Sequence, residues 1–144
     1  MKIAIVGSRG FPRPKVVNDF VNLLPADTTI ISGRGNGVDT WAEQAAKKCG
    51  LGAEIYPIDT SDLPNENPAR KIEFSKRAYA RNQVIAEECE LMVAFWDGSS
   101  GGTKDVMARA RKRGVVVTVI GPTGTPRMAY ELIKAYLPKT DDDN

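Results

Sequence analysis

The sequence predicts a single α/β domain built on a Rossmann-like, doubly wound and mostly parallel five-stranded sheet. Short apolar runs rich in β-branched residues alternate with amphipathic segments along the 144-residue chain. The fourth and fifth runs, LMVAFW and VVVTVI, contain almost no polar residue, which is typical of strands covered by helices on both faces. Glycine-rich loops follow strands, whereas single stop residues such as Pro25, Gly50 and Gly114 end helices.

Each apolar run defines one predicted strand. The strands are expected at residues 2–6, 28–32, 53–58, 91–96 and 115–120. Apolar residues at helical spacing predict helices between and after them. These helices are expected at residues 16–24, 38–50, 78–89, 103–114 and 128–137. The segment 59–77 is too long for an ordinary connection and leaves two alternatives, a lid or binding loop, or a backward extension of the following helix.

Composition indicates an ordinary globular domain, with 42% hydrophobic and 26% charged residues. A net charge of +2 argues against a strongly electrostatic binder of nucleic acid or membranes, although it is compatible with a local basic patch. We expect no membrane association, because no apolar run is long enough to cross a bilayer. The apolar run at the start of the chain is too short for a signal peptide and is interpreted as the first strand. A cytoplasmic location is expected because the two cysteines are expected to be reduced. The domain is expected to span residues 1–138, with a disordered acidic tail at 139–144.

The absence of histidine limits the chemistry of any site in this chain. It excludes Ser-His-Asp and Cys-His catalysis and most zinc sites, and we predict no metal site. Cys49 and Cys89 form no C-x-x-C motif, so both are expected to be reduced and partly buried.

Three glycine-rich loops come directly after strands and before helices. They are GSRGF at residues 7–11, SGRGNG at 32–37 and DGSSGGT at 97–103. Parallel strands place their carboxyl ends at one edge of the sheet, where ligands of open α/β sheets bind. Helix N-termini present free N–H groups there, and glycines let a phosphate oxygen approach them. The sequence therefore predicts an anion site at this edge of the sheet.

Two acidic residues stand out in these loops. Asp39 lies in the first turn of a predicted helix, where its negative charge can interact favourably with the helix dipole. Alternatively, it can accept a hydrogen bond from a ribose hydroxyl, or it can hold Arg34 or Arg81 in place. Asp97 ends an apolar strand at the expected switch point, which favours a functional role.

Aromatic residues offer a stacking candidate. Phe11 lies in a loop beside Arg9 and is the better candidate for stacking on a ligand. Trp41 and Trp96 are expected to belong to the core.

Four segments in order, IAIVGSRGF, IISGRGNGVDTWAEQAA, ARNQ and VAFWDGSSGGTKD, resemble the SLOG superfamily of Rossmann-like nucleotide-binding domains. The resemblance covers most of the chain and is greatest to small stand-alone members. This sequence departs from their pattern at Arg34 and Asn36 in the second loop. The resemblance implies a nucleotide-binding site and a homo-oligomer.

Two related families imply the alternatives. Lonely-guy phosphoribohydrolases cleave the base from a nucleoside monophosphate, and Arg81 and Thr103 match their motif. Their glutamate position falls on Val106, so such an enzyme would need Asp39, Asp97 or Asp105 as a substitute. The catalytic residues predicted for this alternative are Arg81 and Asp97. DNA-processing protein A, which is similar at GSRG and SGRGNGVD, binds single-stranded DNA.

The main hypothesis is a sensor or binding module for a nucleotide or a nucleotide-derived phosphate ligand, with no required cofactor. Base-releasing hydrolysis is the first alternative, and single-stranded DNA binding is the second, less favoured one. The predicted ligand-binding residues are Gly7, Ser8, Arg9, Phe11, Ser32, Gly33, Gly35, Gly37, Asp39, Arg81, Asn82, Asp97, Gly98, Ser99, Gly101, Gly102 and Thr103.

Overall fold

A computed structural model describes residues 1–139, in which strands and helices alternate from the N-terminus. The strands are β1 (Lys2–Gly7), β2 (Thr29–Ser32), β3 (Gly52–Ile55), β4 (Leu91–Phe95) and β5 (Val116–Ile120). The helices are α1 (Pro14–Asn22), α2 (Val38–Cys49), α3 (Ala69–Glu88), α4 (Gly101–Lys112) and α5 (Pro126–Ile133), and a short 3₁₀ helix (Lys134–Tyr136) follows. Residues 140–144 of the predicted tail lie outside the described part of the chain.

The five strands form one sheet in the order β3-β2-β1-β4-β5, and every neighbouring pair is parallel. This confirms the predicted Rossmann-like fold class. From β1 the chain moves outward to β3 and then crosses back to β4, so the strand order reverses between β1 and β4. Gly7 pairs with Phe95 at the carboxyl ends of these two strands. The switch point, where such sheets hold ligands, therefore lies beside Gly7.

Helices cover both faces of the sheet at the fourth strand, as its apolar run predicts. The same prediction is wrong for the fifth strand, because β5 lies at the edge of the sheet and Val116 and Val119 are exposed. One core cluster joins the sheet to α1, α2 and α5, and a second joins its other face to α3 and α4. In the first cluster the ring of Phe20 meets that of Phe95 edge to face at 5.7 Å between centroids. In the second, Ile85 and Met107 are buried against the sheet. This double cover makes the ends of the central strands, rather than their faces, accessible to a ligand.

The segment before β4 resolves the two alternatives for residues 59–77. The backward helical extension is correct, because α3 begins at Ala69. Arg77 donates from Nη1 to the carbonyl oxygen of Asp59 at 2.7 Å and also to that of Ser61. Loop residues ahead of α3 are therefore fastened to the helix that follows them. Most other predicted bounds differ from the structure by one or two residues at most. Two are wrong by three or four residues, since β3 ends at Ile55 and the last α-helix ends at Ile133.

Both cysteines are free thiols, as expected, but they differ in exposure. Cys89 is buried, and desolvation raises the pKa of its thiol to about 11. The expectation of partial burial is wrong for Cys49, which is exposed near the end of α2. None of the helices in residues 1–139 combines the length and the apolar character that crossing a membrane requires.

Candidate functional site

A cleft of about 540 Å³ opens at the carboxyl edge of the sheet, beside the switch point. It is lined by the loops after β1, β2, β3 and β4, by one face of α3 and by the start of α4. Its volume lies in the range of about 300–1,000 Å³ that small-molecule sites occupy. The predicted site residues that line it are Gly7, Arg9, Gly33, Gly35, Asp39, Arg81, Asn82, Asp97, Gly102 and Thr103. The structure thus brings the three predicted loops together around one cavity.

Several predicted residues do not line this cleft. They are Ser8, Phe11, Ser32, Gly37, Gly98, Ser99 and Gly101. The stacking role predicted for Phe11 is wrong, because its side chain is only 2% exposed and belongs to the core. Its ring packs edge to face on Phe95, with 5.6 Å between the centroids. An apolar ring at the end of a short loop gains more from this burial than from solvent exposure.

The two buried serines serve the loops themselves. Ser8 Oγ accepts a hydrogen bond from the backbone N–H of Asp97 at 3.1 Å, which ties the loop after β1 to the loop after β4. Ser32 Oγ donates to the carbonyl oxygen of Asp39 at 3.1 Å. Because both side chains are fully buried, the predicted hydroxyl contacts to phosphate are wrong for Ser8 and Ser32.

The glycines after β1 and β2 make room for the protein's own atoms. A Cβ at Gly7 would meet the carbonyl oxygen of Phe95 and would lie 2.7 Å from Cβ of Val38. A Cβ at Gly33 would meet the guanidinium of Arg81. Gly37 has a positive φ of 79°, and a Cβ there would lie 3.0 Å from Ser8 O of the neighbouring loop. These three positions need glycine for internal packing before any ligand is considered.

The loop after β4 is organised by Asp97. Its Oδ1 accepts the backbone N–H groups of Ser99 at 2.8 Å and Ser100 at 2.9 Å. These two bonds hold the pKa of Asp97 below its usual value. Asp97 therefore shapes the start of α4, and its contact with a ligand stays a prediction.

The first turn of α4 is the open part of the site. Gly101 and Gly102 have no atoms within 4 Å of the position a Cβ would take, in contrast to the glycines above. As first-turn residues they have no acceptor inside the helix for their N–H groups. Within residues 1–139 no other backbone or side-chain acceptor takes these two N–H groups. Of the two, Gly102 lines the cleft.

Arg81 lies in the middle of α3 and reaches across the cleft floor. Its Nη1 donates to the carbonyl oxygens of Gly33 at 2.6 Å and Tyr56 at 3.3 Å. Burial lowers the pKa of this guanidinium. Arg81 thus fixes the loop after β2 to α3, and its charge faces the site.

Asp39 is a buried carboxylate beside this arginine. Its Oδ2 accepts the N–H of Gly35 at 3.2 Å, whereas Oδ1 has no partner in the described residues. Desolvation raises the pKa of Asp39 to about 6, against the lowering effect of the Gly35 bond and the Arg81 charge. Arg34 instead pairs with Glu43, its Nη2 2.9 Å from Oε1. Of the two arginines predicted as partners of Asp39, Arg34 is therefore wrong, and it is the charge of Arg81 that acts on this carboxyl.

An apolar wall completes the cleft, and sequence reasoning missed it. Phe74 and Tyr79 of α3 line the cavity together with Pro57 and Ile58. Positions 74, 78, 81, 82 and 85 all line the cleft and follow helical spacing, so they mark one face of α3. That spacing was the available signal, and it was missed because the sequence left the start of this helix open between residue 78 and an earlier position.

A polar network joins this wall to α4. Asn82 Nδ2 donates to Gly102 O at 3.3 Å and to Asp105 Oδ2 at 3.0 Å. Asp105 Oδ2 also accepts from Arg109 Nε at 2.8 Å. The Arg109 guanidinium lies over the ring of Tyr79, with Cζ 5.6 Å from the centroid.

The position of the expected hydrolase glutamate is occupied by Val106, which lines the cleft and is 3% exposed. Its neighbour Asp105 is bonded to Asn82 and Arg109 rather than directed freely at the cavity. A carboxylate for base release would therefore have to come from Asp39 or Asp97, both of which line the cleft.

Comparisons with known proteins identify the fold. A scan of protein-family models gives no match, and neither does a search of curated proteins. Among solved structures, the chain resembles DNA processing protein A from Streptococcus pneumoniae, with a TM-score of 0.68 and 23% identity over 93% of this chain. It also resembles DNA processing protein A from Helicobacter pylori, described as binding single-stranded DNA, with a TM-score of 0.62 and 17% identity over 94% of this chain.

The class of fold is therefore a Rossmann-like α/β domain, as the sequence predicted. More particularly, the chain has the fold of DNA processing protein A. It spans 56% of the Streptococcus protein and 72% of the Helicobacter protein. The likeness at these identities concerns the fold.

Proposed function

We propose that the chain binds a nucleotide or nucleotide-derived phosphate ligand in the cleft, as a binding or sensing module. The observation that carries this proposal is the open first turn of α4. The free N–H groups there belong to Gly101 and Gly102, and the second of these glycines lines the cavity. A helix N-terminus favours an anion through its dipole and its unpaired donors.

Charged residues around the cleft set the kind of anion that fits. Arg9 lines the cleft and can add a charge-assisted bond to a phosphate. Arg34 is already paired with Glu43, and the carboxylates of Asp39 and Asp97 also line the cavity. This balance favours a ligand with one or a few phosphates over a long polyanion, because each added phosphate would meet little further positive charge.

Calorimetric titration with nucleoside mono- and diphosphates and ADP-ribose tests the proposal. Gly102→Asp should abolish binding, since it places a carboxylate at the phosphate position. Arg9→Ala should weaken binding about tenfold or more, as expected for the loss of a charged hydrogen bond. Arg127→Ala is the matched control, because it removes the same charge from an exposed position on α5 that does not line the cleft. Equal affinities in all four proteins, or no binding of any nucleotide, would refute the proposal.

Single-stranded DNA binding is the second candidate, and the structural likeness to the Helicobacter protein favours it. On this hypothesis the exposed Arg9 and Arg34 at the cleft would contact successive phosphates. Binding of a fluorescent oligothymidylate should then weaken steeply as salt rises. If the oligonucleotide affinity does not depend on salt, this candidate is refuted. If an excess of nucleotide occupies the cleft and leaves oligonucleotide binding unchanged, DNA binding in the cleft is refuted.

A further inference from the structure

We infer that a nucleobase lies against the wall formed by Phe74 and Tyr79, and that Arg109 is the positioning residue for the Tyr79 ring. The inference rests on the proposed function and narrows its ligand to a phosphate that carries a base. Its observations come from α3 and α4 away from the glycine-rich loops.

The exposure of Tyr79 is the first observation. This large aromatic side chain is 48% exposed although it lines a cleft. Phe74 lines the same cavity from the preceding turn of α3, and Pro57 and Ile58 add apolar surface. A nucleobase matches such a surface, because every base offers a flat π-face to an aromatic ring.

Arg109 fixes the ring before any ligand arrives. Its guanidinium lies 5.6 Å from the ring centroid, within reach of a cation–π interaction. The guanidinium is itself held, since Nε donates to Asp105 at 2.8 Å and Nη1 to Gln83 Oε1 at 3.0 Å. A ring with a preset orientation loses less side-chain entropy when a base stacks on it.

The same network reaches the phosphate end of the cleft. Asn82 is 5% exposed and bonds both to Asp105 and to the carbonyl oxygen of Gly102. One chain of hydrogen bonds, through Asp105 and Asn82, therefore joins the Arg109 guanidinium over Tyr79 to the open helix start. This connection sets the relative positions of the groups that would contact base and phosphate.

Calorimetry with two ligand types separates the base from the phosphate. Ribose 5-phosphate supplies sugar and phosphate alone, whereas adenosine, guanosine, cytidine and uridine monophosphates add a base. The wild-type chain should bind at least one of these nucleotides more tightly than ribose 5-phosphate. Tyr79→Ala should remove that preference, a loss between about fivefold and about 150-fold, while leaving ribose 5-phosphate affinity unchanged.

Tyr136→Ala is the matched control, because Tyr136 is 50% exposed and lies outside the cleft lining. Arg109→Met should reduce the preference for the base. Arg109→Lys should keep part of that preference, because lysine retains a cation at this position. If Arg109 were merely structural, its substitution would weaken the binding of ribose 5-phosphate and of the nucleotides by the same factor. That result would overturn its positioning role.

A short oligothymidylate and its abasic analogue distinguish a nucleic acid from a free nucleotide as the source of the base. The base should add affinity in the wild type, either in the free nucleotides or in the oligothymidylate. If Tyr79→Ala loses that added affinity for either ligand, the inference is supported. Equal binding of ribose 5-phosphate and all nucleotides to the wild type would overturn it and leave the proposed phosphate site intact. Failure of every ligand to bind would refute the proposed function itself.

Discussion

The loop after β2 and the loop after β4 are both rich in glycine and both precede a helix, yet their glycines do different things. In the loop after β2, a side chain at Gly33 would strike Arg81, and one at Gly37 would press on the backbone of the neighbouring loop. Where the loop after β4 enters the first turn of α4, a side chain at Gly101 or Gly102 would extend into open space. A similar glycine content therefore hides an internally filled loop and an open one.

This difference teaches where a ligand can approach. A glycine whose missing side chain is replaced by the protein's own atoms is a packing requirement. A glycine in the open first turn of a helix leaves its N–H available to an anion. The glycines of SGRGNG thus belong to the scaffold of the cleft, whereas those of SGGT leave space open at its edge.

The largest expected effect is a loss of stability at Gly7, beside the switch point, where the protein's own atoms fill the space of the missing side chain. Gly7→Ala should lower the free energy of unfolding by about 3 kcal/mol, the upper range for overpacking, since the Cβ would meet Phe95 O and Val38. For a domain of this size that corresponds to a melting temperature roughly 10 °C lower. Thermal unfolding followed by circular dichroism measures it, and an unchanged melting temperature would contradict the packing at β1.

Asp39 should give the next largest effect, through pH. Its pKa is about 6 in the folded chain against an ordinary value of 3.8, because burial disfavours the charged carboxylate. As far as this carboxyl is concerned, stability is highest below about pH 4 and falls as pH rises through 6, by roughly 3 kcal/mol. Asp39→Asn has no carboxyl to titrate at this position. Its free energy of unfolding should therefore rise relative to that of the wild type as pH increases.

Urea denaturation of both proteins from pH 4 to pH 8 measures that difference, in which the titrations of all other groups cancel. Parallel stability curves for wild type and Asp39→Asn would show that the carboxyl is not buried as described.

Gly33→Ala should have a moderate effect, because its Cβ would displace the flexible end of Arg81 rather than backbone. The bonds from Arg81 to Gly33 O and Tyr56 O would be lost, at a cost of about 1.5 kcal/mol. Chemical denaturation measures this cost. Gly35→Ala is the matched control within the same loop, since its Cβ would lie 3.1 Å from Asp39 Oδ2 and leave Arg81 in place. An equal loss in both variants would refute a specific role for the arginine.

The smallest stability effect is expected in the open loop. Gly101→Ala and Gly102→Ala should each leave stability unchanged or raise it by up to about 1 kcal/mol, because alanine restricts the unfolded chain and meets no atom. Nucleotide affinity should fall only in Gly102→Ala, whose position lines the cleft. A marked destabilisation of either variant would erase the contrast between the two loops.

Much of this architecture could be predicted because it depends on local patterns. The apolar run at 91–96 already indicated a buried central strand, and it lies in the middle of the half-sheet formed by β1, β4 and β5. The start of α3 could not be placed, since its first turns carry charged and exposed residues with a weak apolar stripe. Missing those turns also concealed Phe74 as a cleft residue.

The sequence by itself determined the strand and helix order, the parallel sheet and the edge at which the glycine-rich loops gather. These features follow from periodicity and from the rule that parallel strands end together. Only the tertiary structure decided that Phe11 belongs to the core, that Ser8 and Ser32 bond to the backbone, and that Gly102 stays open. The physical reason is that burial and free hydrogen-bonding groups depend on what packs nearby, and those neighbours come from distant parts of the chain.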